Sequence, residues 1–538
     1  MNLLILFLIS VFTWAPLTQW GAWQSRSGLA AAYDLQDLDS SWRAGRSLLD
    51  WAPSFLPAPE PTRFPYYLAQ LFSWASVDRM SSIKLVYGLS LVLSAWTLYL
   101  FVRRLFGERA ALLASVVYLF TPYRIVEIYW RGAFGESWFY TFAPLALWAT
   151  VNLLDSGRRR WLVVLAFSTC LLFLAHLGLG VLFGGVILAY GLWLAWGREK
   201  SSRDKAWAVA GGLAAAVAAG FVLALPFFAS AGWSTLAPAG DYARHFVHFF
   251  QLFSPAWGLG TPGSFGQESL PFQLGVVPVG LGLLALAIWY LYSPFQGETE
   301  AGRWRAERQV AFFLGLAVIS GALMLGGSEL LWRALSLKVL IGYPWQFLAF
   351  STLALAVVAG SVLSTEARLF GLDFTFQALL IALAVVAVNP YLSARVIDPE
   401  DLPDLSRPPL ARWGDRIVLL GYRLEGEFAA GKTIRLALFW QATGKVLKDY
   451  TVFTHVIDVM DRPWGQQDNQ PLLGSRPTTS WEEGEVLRDD YDLVMSRQAP
   501  LGRYRLEVGM YLPSTGERLR VMGEGQENRV ILGEYEIR

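Results

Sequence analysis

The chain has 538 residues, 54% hydrophobic and only 16% charged, with a formal net charge of +1 and a mean hydropathy of +0.38. A soluble protein of this size carries nearer a quarter charged residues, so a water-soluble globule is excluded, and the near-neutral balance gives no sign of a nucleic-acid partner. The lone cysteine, Cys170, excludes a disulfide framework and a thiolate zinc site within one chain.

The apolar residues fall in blocks long enough to cross a hydrocarbon core roughly 30 Å thick. They predict a polytopic α-helical membrane domain over residues 1–389 with about 11 spans: 2–17, 83–102, 110–122, 137–154, 161–176, 179–196, 206–229, 274–293, 310–326, 345–364 and 373–389. The first block lacks the basic n-region and small-residue cleavage site of a secretion signal, so it reads as a span. Five basic loops (Arg103 to Arg109, Arg158 to Arg160, Arg198 to Lys205, Arg303 to Arg308, and Arg368) fall on one side of this count. The positive-inside rule makes that side, and the N-terminus, cytoplasmic. Segments 18–82, 123–136, 230–273, 327–344 and everything after 390 then lie outside.

The first outer loop, 18–82, contains "YDLQDLDSSWRAGRSLLDW" (33–51), whose Leu35, Leu38, Trp42 and Leu49 form a stripe expected of an interfacial helix. Asp39 and Arg43, and Arg46 and Asp50, have ion-pair spacing on that helix. Asp34, Asp37 and Asp39 are either solvated charges or working carboxylates that deprotonate an acceptor hydroxyl or hold a divalent cation (Mg or Mn) near a phosphate.

In the second outer loop, "TPYRIVEIYWRGAFGESW" (121–138), the positive-inside rule gives no reason for arginines. Arg124 and Arg131 are expected either to anchor at the interface or to cradle a lipid-linked phosphate, whose oxygens match the guanidinium fork. Glu136 would orient an arginine or bind a sugar hydroxyl. His176, near the outer end of a span, is a binding candidate or the hydrogen-bonding pivot of a tight helix–helix turn. In "DYARHFVHFFQLF" (241–253), Asp241, His245 and His248 would share one helical face, a spacing open to zinc or manganese and equally to an interfacial aromatic helix.

After a linker at 390–411, apolar residues alternate: Ile434, Leu436, Leu438 and Trp440, then Tyr504, Leu506, Val508, Met510 and Leu512. Period two with one polar face predicts an all-β sandwich over 412–538, extracytoplasmic on the span count. Asp458, Asp461, Asp489 and Asp490 are expected to be solvated loop charges.

The layout resembles the GT-C superfamily of membrane glycosyltransferases, and most of all a bacterial group related to the YfhO family, often labelled 6-pyruvoyl-tetrahydropterin-synthase-related membrane proteins. The stretches that carry the likeness are "TPYRIVEIYWRGAFGE" (121–136), "LFLAHLGLG" (172–180), "FSPAWGLGTPGSFGQESLPFQLG" (253–275) and "YPWQFLAF" (343–350). In the tail they are "FWQA", "DYTVFTHVID" and "TTSWEEGEV". The resemblance implies a plasma-membrane transferase of hexosyl or pentosyl groups, with a polyprenyl-phosphate sugar as donor and a glycan or other envelope component as acceptor. It implies an acidic residue of the first outer loop as the catalytic group. Gln346 stands where an arginine after Pro-Trp would be expected. The other reading is a non-catalytic membrane protein that binds lipid or glycan in envelope assembly.

Overall fold

The computed structural model describes residues 2–55, 62–196, 200–229, 242–253, 273–292, 300–364, 373–392, 394–405, 407–414, 416–522 and 528–537. Contacts divide the chain into two units: Met1–Gln19, Leu38–Pro53 and Ala58–Ala394 form the first, and Trp20–Asp37, Ser54–Pro57 and Arg395–Arg538 the second. The sequence boundaries at 389 and 411 lie close to the start of the tail, but contacts add two pieces of the first loop to the second unit.

The first unit is helical. Its main helices include α1 (Asn2–Trp14), α2 (Gly28–Arg43, only the end of which belongs here), α3 (Phe64–Trp74), α4 (Arg79–Phe106), α5 (Glu108–Leu119), α6 (Pro122–Val126), α7 (Glu136–Ser156), α8 (Arg160–Ala175), α9 (Leu177–Trp196) and α10 (Lys200–Ala224). They continue with α11 (Pro226–Ala229), α12 (Val276–Tyr292), α13 (Glu300–Leu323), α14 (Glu329–Ala334), α15 (Leu348–Gly360) and α16 (Asp373–Val388). Each expected span overlies a helix. Among the described residues, five helical stretches are long and apolar enough to cross a membrane: Arg79–Phe106, Leu177–Trp196, Ala210–Phe228, Ala306–Leu323 and Pro344–Leu363. The count is six if the bent pair Glu108–Leu119 and Pro122–Arg131 is one broken span. Helix α4 is central and packs against α1, α3, α5 and α7. Asp78 caps it by accepting the Ser81 N–H at 3.0 Å. Helix α15 is apolar all round and buried along its whole length, as such helices must be.

Two expectations change here. The first-loop helix runs over 28–43, not 33–51. Gly45, at φ +72, ends it, with the Arg46 N–H on the Ser41 carbonyl and the Gly45 N–H on Trp42, a Schellman closure. Asp39 and Arg43 do pair, at 3.0 Å, but Arg46 and Asp50 follow the stop and share no helix. Leu35 and Leu38 are fully buried, whereas Trp42 is 47% exposed, so the stripe does not lie on one interfacial face.

The second change is larger. Segment 123–136 is not an exposed loop. Thr121, held extended by the following proline, breaks the chain by 48°. The chain then continues as α6 and a π-helical turn, Glu127–Arg131, closed by Gly132 at φ 64.

The second unit holds two main sheets. One has strand order β10-β3-β4-β5-β8, with β3 Ala411–Trp413, β4 Ile417–Glu425, β5 Thr433–Ala442, β8 Val486–Val494 and β10 Val521–Met522. The other is β11-β9-β6-β7, with β6 Thr451–Asp458, β7 Pro463–Asn469, β9 Gly502–Tyr511 and β11 Val530–Ile537. Ile434, Leu436, Leu438 and Trp440 from the first sheet and Tyr504, Leu506, Val508 and Met510 from the second join one core, as their alternation predicted. Leu512 falls just past the end of β9. A short ladder joins β1 (Trp23–Gln24) to β2 (Arg395–Val396), inside the expected linker. Asp458 and Asp489, expected in solvent, are buried. Asp458 caps the β6–β7 turn by accepting from Met460 and Arg462 amides and the Trp464 indole. Asp489 takes the Leu472 amide and the Tyr491 hydroxyl.

Candidate functional site

The charged residues of 121–138 are sealed inside the helical unit: Arg124, Glu127 and Glu136 are fully buried and Arg131 nearly so. Arg131 Nη1 donates to Glu136 Oε2 at 2.8 Å and to the Tyr123 hydroxyl at 3.1 Å. Tyr123 in turn donates to Glu136 Oε1 at 2.6 Å, closing a triangle that engages both carboxylate oxygens. The Arg131 guanidinium also lies 4.5 Å from the Trp345 ring centre. Arg131 is therefore charge-balanced within its own turn, and a buried pair of this kind is held by geometry rather than by solvent.

Arg124 and Glu127 are less satisfied. Arg124 Nη2 donates to Ser94 Oγ at 2.9 Å, and its guanidinium stacks 4.0 Å from the Tyr140 ring. Its Nε and Nη1, both carboxylate oxygens of Glu127, and the Tyr140 hydroxyl have no hydrogen-bond partner. Buried orphan groups of this kind are rare, and those at π turns recur at functional sites. The bland expectation of interfacial anchoring fails for Arg124 and Arg131, because neither reaches a surface.

Three of the family-like stretches meet here. His176 breaks the chain between α8 and α9, and its Nδ1 accepts the Leu179 N–H at 3.2 Å while its Nε2 lies 3.4 Å from Gln346 Nε2. His176 is thus the pivot of a tight helix–helix turn, bonded to an amide rather than to a carbonyl. Two glycines allow the approach. A Cβ on Gly135 would lie 2.1 Å from Thr62 Oγ1 and 2.3 Å from the Ala175 carbonyl, and one on Gly178 would lie 1.6 Å from the Leu340 carbonyl. Most of the fourth stretch, 254–272, lies outside the described residues.

Sequence reasoning passed over Arg63, in "PEPTRFPYYL" (59–68). It is 1% exposed. Its amide donates to Leu174 and its Nε to the Phe227 carbonyl at 3.1 Å, and its guanidinium lies between the Trp51 and Phe228 rings at 5.8 and 5.7 Å. Nη1 has no partner, and Arg63 makes no ion pair among the described residues. Burial pulls its pKa below the usual arginine value. The available signal was an arginine inside a run of aromatics and prolines, with Glu60 three residues before it.

The first-loop carboxylates divide. Asp34 is a clamp: Oδ1 accepts the Ser54 and Phe55 amides at 2.7 and 2.8 Å. Asp39 is buried, with Oδ1 taking Gln70 Nε2 at 3.0 Å and Oδ2 facing Arg43 at 3.0 Å and Arg79 at 4.0 Å. Helix α3 links Asp39 to the arginine turn. Gln70 holds Asp39, and one turn back the Tyr66 ring packs 5.1 Å from Phe134. Asp37 is half-buried.

The metal candidates do not form the expected helix. Asp241 lies outside the described residues. His245 follows a 3₁₀ turn at Tyr242–Arg244 and sits edge-on to Tyr343, while exposed His248 precedes a second 3₁₀ turn at Phe249–Leu252. An intervening extended residue, Val247, breaks the shared face. Among the described residues no three His, Cys, Asp or Glu side chains converge on a metal position.

Residues 60–223 match the model of a family described as dolichyl-phosphate-mannose-protein mannosyltransferase. The match covers less than half of the chain and marks a likeness to the GT-C glycosyltransferases. No curated protein sequence matches it. Among solved structures, the chain is similar to the oligosaccharyltransferase AglB from Archaeoglobus fulgidus in complex with an inhibitory peptide and a dolichol-phosphate (TM-score 0.44, 15% identity, covering 75% of this chain and 58% of that one). It is similar to ArnT from Cupriavidus metallidurans bound to undecaprenyl phosphate (TM-score 0.41, 16% identity, 71% and 64%). It is also similar to the arabinosyltransferase EmbB from Mycobacterium smegmatis (TM-score 0.31, 13% identity, 98% and 64%). The chain spans 58–64% of the length of these structures.

Proposed function

We propose that the chain transfers a sugar from a polyprenyl-phosphate carrier to an acceptor hydroxyl at the outer face of the plasma membrane, with about 11 spans and the β-rich tail outside. Within the superfamily it sits beside the YfhO-related group, on the stretches quoted above. The observation that carries the reading is the family match over 60–223, which includes both Arg63 and the buried arginine turn.

In this mechanism the donor's bond between C1 and the phosphate oxygen breaks, and the leaving phosphate takes the bonding pair. The acceptor oxygen bonds to C1 while its proton passes to a first-loop carboxylate. The donor arrives activated, so the protein need only position the acceptor and stabilise the charge of the departing phosphate. Arg63 and Arg124 are suited to the second task, because each is buried with donor groups that have no partner. Arg131, paired with Glu136, holds the turn in shape and joins the phosphate only if that pair opens. Asp37 and Asp39 are the candidates for the proton. Asp34, locked on two backbone amides, serves the fold. Asp37 or Asp39 would act directly or by holding a divalent cation (Mg or Mn) near the phosphate.

The engagement of both Asp39 oxygens favours a second reading, a protein that binds lipid or glycan without turnover. One assay separates the two. Purified protein in lipid nanodiscs is given a panel of radiolabelled polyprenyl-phosphate sugars and envelope glycan acceptors. The transferase reading expects glycoside formation that falls roughly 100-fold or more in Asp37→Asn or Asp39→Asn, the usual weight of a general base. Full activity in both variants removes the first-loop base. Donor retention with no turnover across the panel establishes the binding role instead.

A further inference from the structure

The tail carries a pocket that the transferase reading does not use. It has a volume of about 230 Å³ and lies where the β3–β4 turn meets the loop after β5. Among the described residues its lining includes Arg416, Lys445 and Lys448 and no acidic residue. Trp413 also lines it; this residue is 0% exposed, and its indole N–H has no hydrogen-bond partner. An indole N–H can only donate, and a buried donor left alone is penalised.

Two of the three cations are tethered. Arg416 Nη1 donates to the Lys445 carbonyl, and Lys445 Nζ donates to Thr479 at 2.8 Å. The loop that carries them is tied to the 478–480 turn through the Tyr450 amide on Thr478 Oγ1 at 3.0 Å and through Asp449 on Thr479. Arg416, Lys445 and Lys448 are exposed around one small pocket, and their shared positive charge favours an anion there. Glu517 acts on Tyr450 but is not among the lining residues, and Asp415 lies outside the described residues.

We infer that this pocket binds the phosphate or carboxylate of an anionic monosaccharide unit, such as a sugar phosphate or a uronate. Every polar side chain that lines it is a donor or, at Tyr450, a hydroxyl, so the ligand must supply acceptors. Its volume is below the roughly 300–1,000 Å³ that encloses a drug-sized molecule, so one sugar-sized group fills it. Tyr450 adds an aromatic wall that suits a sugar ring better than a bare ion. The inference does not depend on the transferase reading.

The test is hydrogen exchange on the full-length protein in nanodiscs of neutral lipid, titrated separately with glucuronate, glucose 1-phosphate, inorganic phosphate and glucose. Glucuronate or glucose 1-phosphate should protect peptides covering 411–419 and 443–450, at least tenfold more tightly than glucose, and less tightly as salt rises. The Lys445→Gln/Lys448→Gln variant should weaken that protection tenfold or more while exchange in 451–458 stays native, which shows that the sheet is intact. Trp413→Phe, which removes only the donor, should weaken it less. Protection by inorganic phosphate as tight as by glucose 1-phosphate would overturn the saccharide. So would protection of the same peptides by phosphatidylglycerol nanodiscs alone, which assigns the anion to a lipid headgroup. No protection by any anion removes the site.

Discussion

At the residue scale, the buried groups divide into those already balanced and those that are not. Arg131 and Glu136 are balanced, so removing one partner leaves an uncompensated buried charge. Glu136→Gln should destabilise the protein by about 3–5 kcal/mol in detergent unfolding, and Arg131→Met added to it should recover much of the loss. Independent destabilisation by the two changes would show that the pair is not coupled. Arg63 predicts the opposite behaviour. It is buried with Nη1 unpartnered, so Arg63→Gln should leave the melting temperature unchanged or raise it. A large drop would mean that the guanidinium is structural. In the tail, His455 sits between Asp468 at 2.9 Å and Glu507 at 3.1 Å. Burial alone would lower its pKa, but hydrogen bonds to those two carboxylates and their charges push it up to about 9. The native state then holds a proton that the unfolded chain loses near pH 6.5. This stabilisation is complete below about pH 6.5 and is lost as pH rises through 9. Exchange protection of strand 451–458 should fall between pH 6.5 and 9 in the wild type and stay flat in His455→Gln; a flat wild-type profile would contradict the pairing. The sequence showed Arg124, Arg131 and Glu136 as misplaced charges, since an outward arginine defies the charge rule. It could not show that Glu136 cancels Arg131, because that depends on a π turn and a tyrosine rotamer.

At the scale of elements, close approach matters more than hydropathy. Gly135 and Gly178 stand where an oxygen of another segment of the chain lies closer than any Cβ tolerates. Gly178→Ala should abolish folded yield or lower the melting temperature sharply, whereas Gly185→Ala on the same helix, with nothing within 4 Å of the added carbon, should be neutral or slightly stabilising. Equal tolerance of both changes would refute the packing of α9 against the 340–346 segment. Helices were legible because apolar blocks of span length leave few alternatives, and strands because period two puts one face inside. The stretch 123–136 was misread as an outer loop for the same reason. Its polarity matches that of a loop, and hydropathy cannot tell a polar turn sealed inside helices from one in water. The expected helix over 241–253 failed because spacing alone does not require helical backbone: the two histidines lie between two 3₁₀ turns, with extended Val247 between them.

At the scale of the whole molecule, the early chain contributes to both units. Pairing of Trp23–Gln24 with Arg395–Val396 links residues more than 370 apart in sequence, which no local pattern reveals. The proposed topology is open to labelling. In a Cys170→Ser background, Ser40→Cys and Ser475→Cys should react with a membrane-impermeant maleimide in intact cells, and Ser156→Cys only after permeabilisation. The reverse pattern would place the site on the cytoplasmic side. The central claim is that unpartnered buried cations of the helical unit hold the phosphate of a polyprenyl carrier. It is tested most directly by native mass spectrometry of the purified protein with polyprenyl phosphate and with the matching polyprenol. The account predicts retention of one polyprenyl phosphate, little retention of the alcohol, and at least a tenfold loss of the phosphate form in Arg63→Gln. Equal retention of phosphate and alcohol, unchanged by that substitution, would contradict it.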